Sequence, residues 1–345
     1  MKTVTFGSAM VDIIAVLESD SIEQISLSNA HQQFLLVEPG RKIEASSITT
    51  HIGGGGLNTA VGLARLGCEV APIVKTGKDS SRDHVIDHCE EHGLETARLL
   101  TDAEHDTGSA VMIASHDKNA AIFTQRGANT TLGVGDLDAV FPLKANLVHV
   151  APLSGESASM LPLIAERAKA ETLFLSCNPG IRQITTRTNT VLTAAPHMDL
   201  LSINGAEAAA LVPCLSALNA NLLWETPKAG EPVLRSQGSM LRLKQFCAAF
   251  HTHGPSNILV TYGGDGAYLY DGDELFHQPI IPVEVAGTAG AGDAFVSTLA
   301  WGLSSGAKPQ DALLMAAHNA SSVVSFVNTT DGLLSLGEIE KRIAA

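Results

Sequence analysis

Short apolar runs that alternate with amphipathic segments set the rhythm of the chain. Runs of strand type stand between turn residues, and most are followed by a segment with apolar residues at helical spacing. These strand-like runs are residues 3–6, 70–74, 147–150, 172–176, 200–202 and 257–261. Strands that alternate with helices favour a parallel sheet covered by helices on both faces. The sequence therefore predicts an α/β fold, as one domain across residues 1–345.

The pattern changes most sharply at residues 281–303. Ile281, Val283 and Val285 alternate as in a strand, small residues follow, and apolar residues at helical spacing begin at Phe295. This order predicts a strand end, a bare loop and a helix. Glycines let a ligand approach the backbone closely, and the free N–H groups at a helix N-terminus bind anions such as phosphate.

Asp293 falls in the first turn of that predicted helix. An acidic residue there stabilises the helix dipole, and this is the structural alternative. A carboxylate beside an anion-binding backbone repels phosphate, however, unless it takes a proton from an attacking hydroxyl group. We therefore predict that Asp293 is a general base and that the backbone of Gly290, Ala291 and Gly292 binds the phosphate.

A second glycine-rich turn precedes a helical pattern, at residues 53–56, and Asn58 follows it. No register of this turn supplies Gly-x-Gly-x-x-Gly, which disfavours a Rossmann oxidoreductase, and the chain lacks the Gly-x-x-x-x-Gly-Lys-Ser/Thr of a P-loop. An amide both donates hydrogen bonds to hydroxyl groups and accepts them, so Asn58 suits a substrate contact. A plain helix cap is the structural alternative.

Polar residues also follow two other predicted strands, and binding sites of parallel sheets lie at such strand ends. Asp12 closes the first strand-like segment, and capping of a turn is its structural alternative. Asn204 and Glu207 open a helix with the spacing of a capping box, which is their structural alternative.

Two further motifs admit a structural and a functional interpretation. Thr261, Gly263 and Gly266 lie between two strand-like runs, where glycines also serve a hairpin. Asn319 stands among small residues of a long apolar helix, and this arrangement also suits a tight helix interface.

One predicted helix carries His84, His88 and His92 at intervals of four residues. Two histidines at this spacing can share a metal ion. A polar row is also what a solvated helix face shows, and no further Cys or His motif completes a site. The sequence favours the solvated face.

The segments 109–115 and 120–125 are strand-like and flank a polar turn at residues 116–119, the pattern of a hairpin. Residues 15–47, in contrast, have poor periodicity. A long irregular stretch in a compact domain is uncommon unless it is functional, for example as part of a lid.

Composition and charge limit the partners. The chain is 45% apolar, has no run of eighteen apolar residues and opens on a strand-like run, so we expect a cytoplasmic protein without membrane contact. The net charge of −14 argues against a nucleic-acid partner. It does not exclude ATP, because backbone N–H groups and a metal ion can hold the phosphates. The five dispersed cysteines are expected to be reduced.

These motifs together resemble those of the PfkB, or ribokinase-like, sugar and nucleoside kinases. The C-terminal signature of that family usually reads Asp-Thr-x-Gly-Ala-Gly-Asp, and residues 287–293 match it except that Gly287 replaces the first Asp. The turn before Asn58 resembles the other signature, Gly-Gly-x-x-x-Asn. The resemblance covers nearly the whole chain. It implies a three-layer α/β/α domain with a small β-sheet lid from about residues 15–47 and 104–128.

The resemblance also assigns roles to the motif residues. It makes Asp293 the catalytic base and the backbone of Gly290, Ala291 and Gly292 the anion hole. It places the substrate against Asp12, Gly54, Gly55 and Asn58. It places ATP against Asn204, Thr261, Gly263, Gly266 and Asn319, with Asn319 beside the adenine and Glu207 helping to hold Mg²⁺.

The implied activity is ATP-dependent phosphorylation of a sugar hydroxyl, with Mg-ATP as donor. A nucleoside kinase, or a regulator that binds sugars or nucleotides without turnover, is the alternative. Because Gly287 removes a carboxylate that often helps to hold a monovalent cation in this family, we expect K⁺ to change the rate little.

The lid that the resemblance implies carries two further expectations. An exposed lid sheet presents an apolar face, which suits a homodimer. The space under the lid, near Leu36, Met112, Ile113 and Phe123, is expected to select between a sugar and a nucleoside.

Overall fold

The computed structural model describes residues 1–17, 23–26, 33–36, 40, 42–115, 120–219 and 222–344. In chain order, the strands are β1 (Lys2–Phe6), β2 (Met10–Leu17), β3 (Glu23–Ser26), β4 (Gln33–Leu36), β5 (Ala45–Gly53), β6 (Glu69–Ile73), β7 (Lys75–Thr76), β8 (Leu100–Thr101), β9 (Ser109–Ser115), β10 (Ala120–Gln125), β11 (Leu147–Val150), β12 (Phe174–Cys177), β13 (Leu200–Asn204), β14 (Val233–Ser236), β15 (Ser239–Arg242), β16 (Asn257–Thr261), β17 (Ala267–Tyr270) and β18 (Leu275–Gln278).

The helices of the described residues are α1 (Gly55–Arg65), α2 (Ser80–Glu91), α3 (Val134–Val140), α4 (Leu161–Ala170), α5 (Ile181–Thr186), α6 (Thr188–Ala194), α7 (Gly205–Leu218), α8 (Leu243–His251), α9 (Ala291–Ser304), α10 (Pro309–Val323) and α11 (Leu336–Ala344). Among them, none combines the length and apolar character that a membrane crossing needs.

An eight-stranded sheet forms the centre of the molecule, in the order β18-β17-β16-β13-β12-β11-β1-β6. In the part of this order that runs from β16 to β6, neighbouring strands pair in parallel. β17 is antiparallel to β16, and β18 is antiparallel to β17. Every residue of β11 is buried, as expected for a parallel strand that helices cover on both faces. The predicted α/β fold with a mainly parallel sheet is confirmed.

Two apolar clusters lie on the two faces of this sheet. One packs α3 to α8 against the sheet through side chains such as Leu161, Ile184 and Phe246. The other packs α1, α2, α9 and α10 through side chains such as Leu63 and Leu299. Because both faces are covered, the carboxyl edge of the parallel strands remains the natural place for a binding site.

A second, smaller sheet has the order β10-β9-β2-β5 and mixes parallel and antiparallel pairs. The hairpin predicted from the pattern is the antiparallel pair β9 and β10. Its turn, residues 116–119, lies outside the described residues. The sheet also takes up residues 10–14 and 48–53, beyond the bounds expected for the lid. β3 and β4 form a separate antiparallel pair.

Pro213 lies in the interior of α7. α7 continues through Pro213 to Leu218. Pro in a helix interior costs about 3 kcal/mol or more. Leu211, Val212 and Leu215 are buried in the core on this helix, and their packing offsets that cost.

Candidate active site

The site lies at the carboxyl edge of the central sheet, where the N-termini of α1 and α9 come together. Gly290 precedes α9 in the left-handed conformation, with φ of 79°. A Cβ atom at this position would lie 2.8 Å from the Cβ of Thr329, so both the conformation and the space require glycine. Ala294 N–H donates to the Gly290 carbonyl at 2.9 Å. The N–H groups of the residues between them therefore precede the helical ladder and are available to an anion.

The run of four glycines brings α1 close to the turn between β1 and β2. Gly54 has a φ of 98°, and a Cβ atom there would lie 2.5 Å from the Ser8 carbonyl oxygen. Gly55 N–H donates to the Ser8 hydroxyl at 3.2 Å. Close packing accounts for these two glycines, and their contact with a substrate stays a prediction.

Asp293, Asn58 and Thr329 form a chain of hydrogen bonds. The side-chain amide of Asn58 donates to Oδ2 of Asp293 at 2.8 Å. The Thr329 hydroxyl donates to Oδ1 of Asn58 at 2.9 Å. Burial raises the pKa of the Asp293 carboxyl to about 6, and the Asn58 hydrogen bond acts in the opposite direction. The predicted base and the predicted substrate ligand are therefore direct neighbours.

Asp12 reaches the same place from the second sheet. It lies opposite His51 in the pairing of β2 with β5. Burial raises the pKa of its carboxyl, and His51 acts against that shift. A Cβ atom on Gly53 would lie 2.7 Å from Asp12 Oδ2, and 3.8 Å from both Asn58 Oδ1 and the Thr329 hydroxyl oxygen. The fold thus gathers Asp12 and Asn58 around Gly53, next to Asp293.

Sequence reasoning did not single out Gly53 or Thr329. Gly53 belongs to the glycine run, and its need for glycine depends on Asp12, a residue 41 positions away in another strand. Thr329 lies in the loop after α10 and is 271 residues from Asn58. No local pattern marks it, because its partner is chosen by the tertiary structure.

Asn204 and Glu207 form the capping box that was their structural alternative. Glu207 N–H donates to the Asn204 side chain at 2.9 Å, and Asn204 N–H donates to Glu207 at 2.8 Å. Burial raises the pKa of Glu207, and hydrogen bonds from the backbone of Asn204 and Ile181 lower it. Two backbone donors leave lone pairs on the carboxylate for water molecules. The pair therefore fits a Mg²⁺ ion bound through water rather than directly.

Asn204 lies beside Thr261 in the register of β13 and β16. Both line a cleft of about 830 Å³, together with Gly263. Gly263 has a φ of 55°, and nothing lies within 4 Å of the position of a Cβ atom. A ligand can approach its backbone. Gly266 is different, because a Cβ atom there would collide with the Gln278 carbonyl oxygen of β18. Its glycine is explained by the hairpin.

Asn319 takes part in a contact between helices, and its position beside an adenine stays a prediction. The side chain is fully buried. Its amide donates to the Thr298 hydroxyl at 2.8 Å, and its oxygen accepts from Leu334 N–H at 2.9 Å. Asn319 fastens α10 to α9 and to the loop before α11, which is the tight helix interface that its small neighbours also allowed.

The residues expected to select the substrate do not all lie on the same face of the second sheet. Successive residues of a strand point to opposite faces, and residues paired across strands share a face. Val111 pairs with Ile13 and with Phe123, so these three lie on the face opposite to that of Asp12. Ile113 shares that outer face, so neither Ile113 nor Phe123 faces the site. Met112 lies on the face of Asp12, and the side chain of Leu36 lies outside the described part of the chain.

Gly287 stands beside α10, where its N–H donates to the Val324 carbonyl at 3.2 Å. A Cβ atom there would lie 3.1 Å from the Phe326 carbonyl oxygen. The weak effect expected of K⁺ stays a prediction.

On α2, the ligand atoms of His88, Glu91 and His92 lie within 4.8 Å of one another, while His84 is exposed. Burial lowers the pKa of His88 to about 4, which keeps the imidazole neutral. Glu91 is exposed, His88 and His92 are half-buried, and the hydrogen-bonded group around Asp293 does not include them.

An acidic side chain at a bare helix N-terminus, in a parallel α/β domain with a second sheet beside it, is an arrangement that suits the transfer of an anionic group. Comparison with known protein families then shows the family of the chain. The model of the pfkB family carbohydrate kinases matches residues 2–335, and the chain belongs to this family. It is a carbohydrate kinase, an ATP-dependent phosphotransferase with an alcohol group as acceptor.

Individual relatives are distant. A 5-dehydro-2-deoxygluconokinase of Shouchella clausii is 24% identical over 328 residues, which covers 94% of this chain and 96% of the relative. The structure of Arabidopsis thaliana ribokinase complexed with ribose and ATP has a TM-score of 0.73 at 23% identity, covering 99% of this chain and 97% of that one. A nucleoside kinase of Methanocaldococcus jannaschii has a TM-score of 0.74 at 19% identity, covering 100% and 98%. The fold is ribokinase-like.

Proposed function

We propose that this kinase transfers the γ-phosphoryl group of ATP to a hydroxyl group of a sugar, with Asp293 as the general base. The observation that carries the proposal is the carboxyl of Asp293 in the first turn of α9, with its pKa raised by burial to about 6. A general base is most effective when its pKa lies near the working pH. A carboxyl of ordinary pKa would be a weaker base.

Each neighbour of Asp293 has a part in the proposed reaction. Asp12 and the second N–H of Asn58 hold hydroxyl groups of the sugar, and Asp293 takes the proton of the attacking hydroxyl. The backbone N–H groups of Gly290 to Asp293 stabilise the charge that develops on the phosphoryl group. Gly54 and Gly55 form the floor of the site.

ATP is proposed to extend from this anion hole toward the cleft of Asn204, Thr261 and Gly263, with Gly266 shaping the turn. The open space at Gly263 supports this placement. Mg²⁺, when bound, would neutralise phosphate charge and would be held by the phosphates and by water on Asn204 and Glu207.

A sugar is favoured over a nucleoside as the acceptor. The relative from Shouchella clausii is a sugar-acid kinase by name, and the Arabidopsis structure contains ribose. The face of the second sheet that carries Asp12 also carries His51, so a polar ligand meets polar partners there. The nucleoside kinase of similar fold keeps a nucleoside as the alternative acceptor.

The second sheet is proposed to act as the lid of the single domain and as the contact of a homodimer. Its outer face exposes apolar side chains, with Ile48 at 69%, Phe123 at 63% and Val111 at 39% exposure. A contiguous apolar surface of this kind marks an interaction site.

ADP release from Mg-ATP, measured across a panel of sugars and nucleosides, tests the proposal. At least one sugar should stimulate release. Asp293→Asn keeps the shape of the side chain and removes the base, so turnover with that sugar should fall by a factor on the order of 10² to 10⁴ while ATP still binds.

Three results would contradict the proposal. Near-normal turnover of Asp293→Asn would remove Asp293 from the mechanism. Binding of sugars without ADP release from any of them would favour the regulator without turnover. Stimulation by nucleosides alone would replace the sugar by the alternative acceptor.

A further inference from the structure

The amide of Asn58 is fixed from both ends in a nearly closed environment. The residue is only 5% exposed. Its Nδ2 lies 2.8 Å from Asp293 Oδ2, and its Oδ1 lies 2.9 Å from the Thr329 hydroxyl oxygen. These two contacts reach the amide from α9 on one side and from the loop after α10 on the other.

Only one orientation of this amide suits an ionised Asp293. An ionised carboxylate is an acceptor only, so it needs the N–H of the amide and repels its oxygen. The amide oxygen then requires a donor on its other side, and the Thr329 hydroxyl supplies it. Without a donor this buried amide oxygen would be left unsatisfied, which would weaken the fixed orientation of the amide.

We infer that Thr329 is a positioning residue, which anchors the amide of Asn58 so that an N–H group stays on the Asp293 carboxylate. Thr329 touches neither the reacting oxygen nor the phosphate in this role and acts through Asn58. Its backbone and Cβ also pack against Gly290, which sets the start of α9. The same loop residue thus contributes to the placement of the base and of the anion-binding turn.

The inference predicts the direction in which the pKa of Asp293 changes when the amide of Asn58 is no longer anchored. The Asn58 hydrogen bond lowers this pKa against the effect of burial, so a loosened amide should let it rise. The other titratable side chains on the elements packed around this group are Asp12 and His51 on the second sheet and Asp331 on the loop of Thr329. None of them is changed by substitution of Thr329.

This inference rests on the proposed function for its meaning, but its test does not require turnover. The enzyme is labelled with ¹³C at the Asp side-chain carboxyl, and the Asp293 signal is identified by its loss in Asp293→Asn. The full chain is then titrated by NMR. Thr329→Val, which keeps the shape and removes the hydroxyl, should raise the midpoint of Asp293 by about one pH unit. Thr329→Ser should restore it.

Two controls separate positioning from a general structural effect. Thr330→Val changes the adjacent buried threonine, whose side chain makes no hydrogen bond to Asn58 in the described part of the chain, and should leave the midpoint in place. In an Asn58→Ala background, Thr329→Val should add no further shift, because the two residues act in one chain. Thermal melts confirm that each variant is folded.

An active enzyme offers a second measurement. The acid limb of its pH–rate profile should move upward with Thr329→Val, so that kcat falls up to about tenfold below the midpoint and recovers at high pH. An unchanged midpoint in Thr329→Val, or an equal shift in the Asn58→Ala background, would overturn the inference. If Thr329→Val does not fold, Thr329→Ser serves as the test. A titration midpoint of Asp293 in Thr329→Ser that differs from the wild-type midpoint by a full pH unit would also overturn the inference. If the midpoint of Asp293 shifts as expected but the enzyme shows no turnover, the result would count against the proposed function alone.

Discussion

Burial and a hydrogen bond from Asn58 shift the pKa of Asp293 in opposite directions. Burial at the start of α9 disfavours the charged carboxylate, and the N–H of Asn58 favours it. Burial has the larger effect, so the pKa lies at about 6 rather than near the ordinary value of about 4. Asp12 shows the same direction of shift, for the same reason.

The pH dependence of the reaction follows from this value. A general base works only when deprotonated, so kcat/KM should rise with pH through about 6 and be lost below it. A steady-state profile between pH 4.5 and 8.5 with a saturating concentration of Mg-ATP checks this, over a range chosen to span about two units on the acid side. The residual activity of Asp293→Asn should lack this limb. A limb near 4 in the wild-type enzyme would show that burial does not control the base.

At the level of elements, the entry into α9 depends on one backbone conformation. Gly290 adopts a positive φ of 79° and lies against Thr329, whereas Gly292 has open space where a Cβ atom would be. Asp293 follows directly, so the position of the base is tied to this turn. Pro213 in α7 shows the reverse case, where packing of the element overrides a local preference.

Substitution of the two glycines should therefore have opposite effects. Gly290→Ala forces an L residue into the left-handed region and against Thr329, and it should destabilise the fold by about 1 to 3 kcal/mol. Gly292→Ala, the matched control, meets no neighbour and replaces a helical glycine, so it should be neutral or stabilising by up to about 1 kcal/mol. Chemical denaturation measures both. Equal free energies of unfolding for the two variants would contradict this account of the turn.

At the level of the whole molecule, the second sheet has one face for the site and one for the outside. Asp12 and Met112 lie on the first face, and Ile48, Val111 and Phe123 lie on the second. Alternation along a strand makes this separation obligatory once the pairing is set.

If the outer face joins two copies, light scattering after size exclusion should give a mass of about twice 36.0 kDa. Phe123→Asp should convert the protein to a monomer, because a buried unpaired charge disfavours association. Ile122→Asp, on the opposite face of the same strand, is the control and should leave the mass unchanged. A wild-type monomer at micromolar concentration would contradict the homodimer.

Much of the fold was predictable because its signals are local. The alternation of buried strands with helical patterns indicated the parallel sheet, and the glycine-rich turns marked the starts of α1 and α9. The Asn204 and Glu207 spacing likewise offered a capping box as the structural alternative, and the box forms. In each case the physical cause lies within a few residues of the signal.

Other features depended on partners far away in the chain. The hydrogen bonds of Asn319 with Thr298 and Leu334, for example, have no local signal in the sequence. Phe123 and Ile113 were expected under the lid, but strand pairing places them outside. A residue type and its spacing do not state which neighbour satisfies a polar group or which face a strand presents.

The sequence by itself determined the α/β fold, the family, and Asp293 as the candidate base at a bare helix start. Apolar periodicity and turn glycines act over a few residues, so they can be read without the structure. The tertiary structure alone decided that Asp12 and Asn58 meet Asp293 around Gly53, and that Thr329 completes the chain. Those contacts form because buried polar groups need partners, and only the packing of distant elements determines which partners they find.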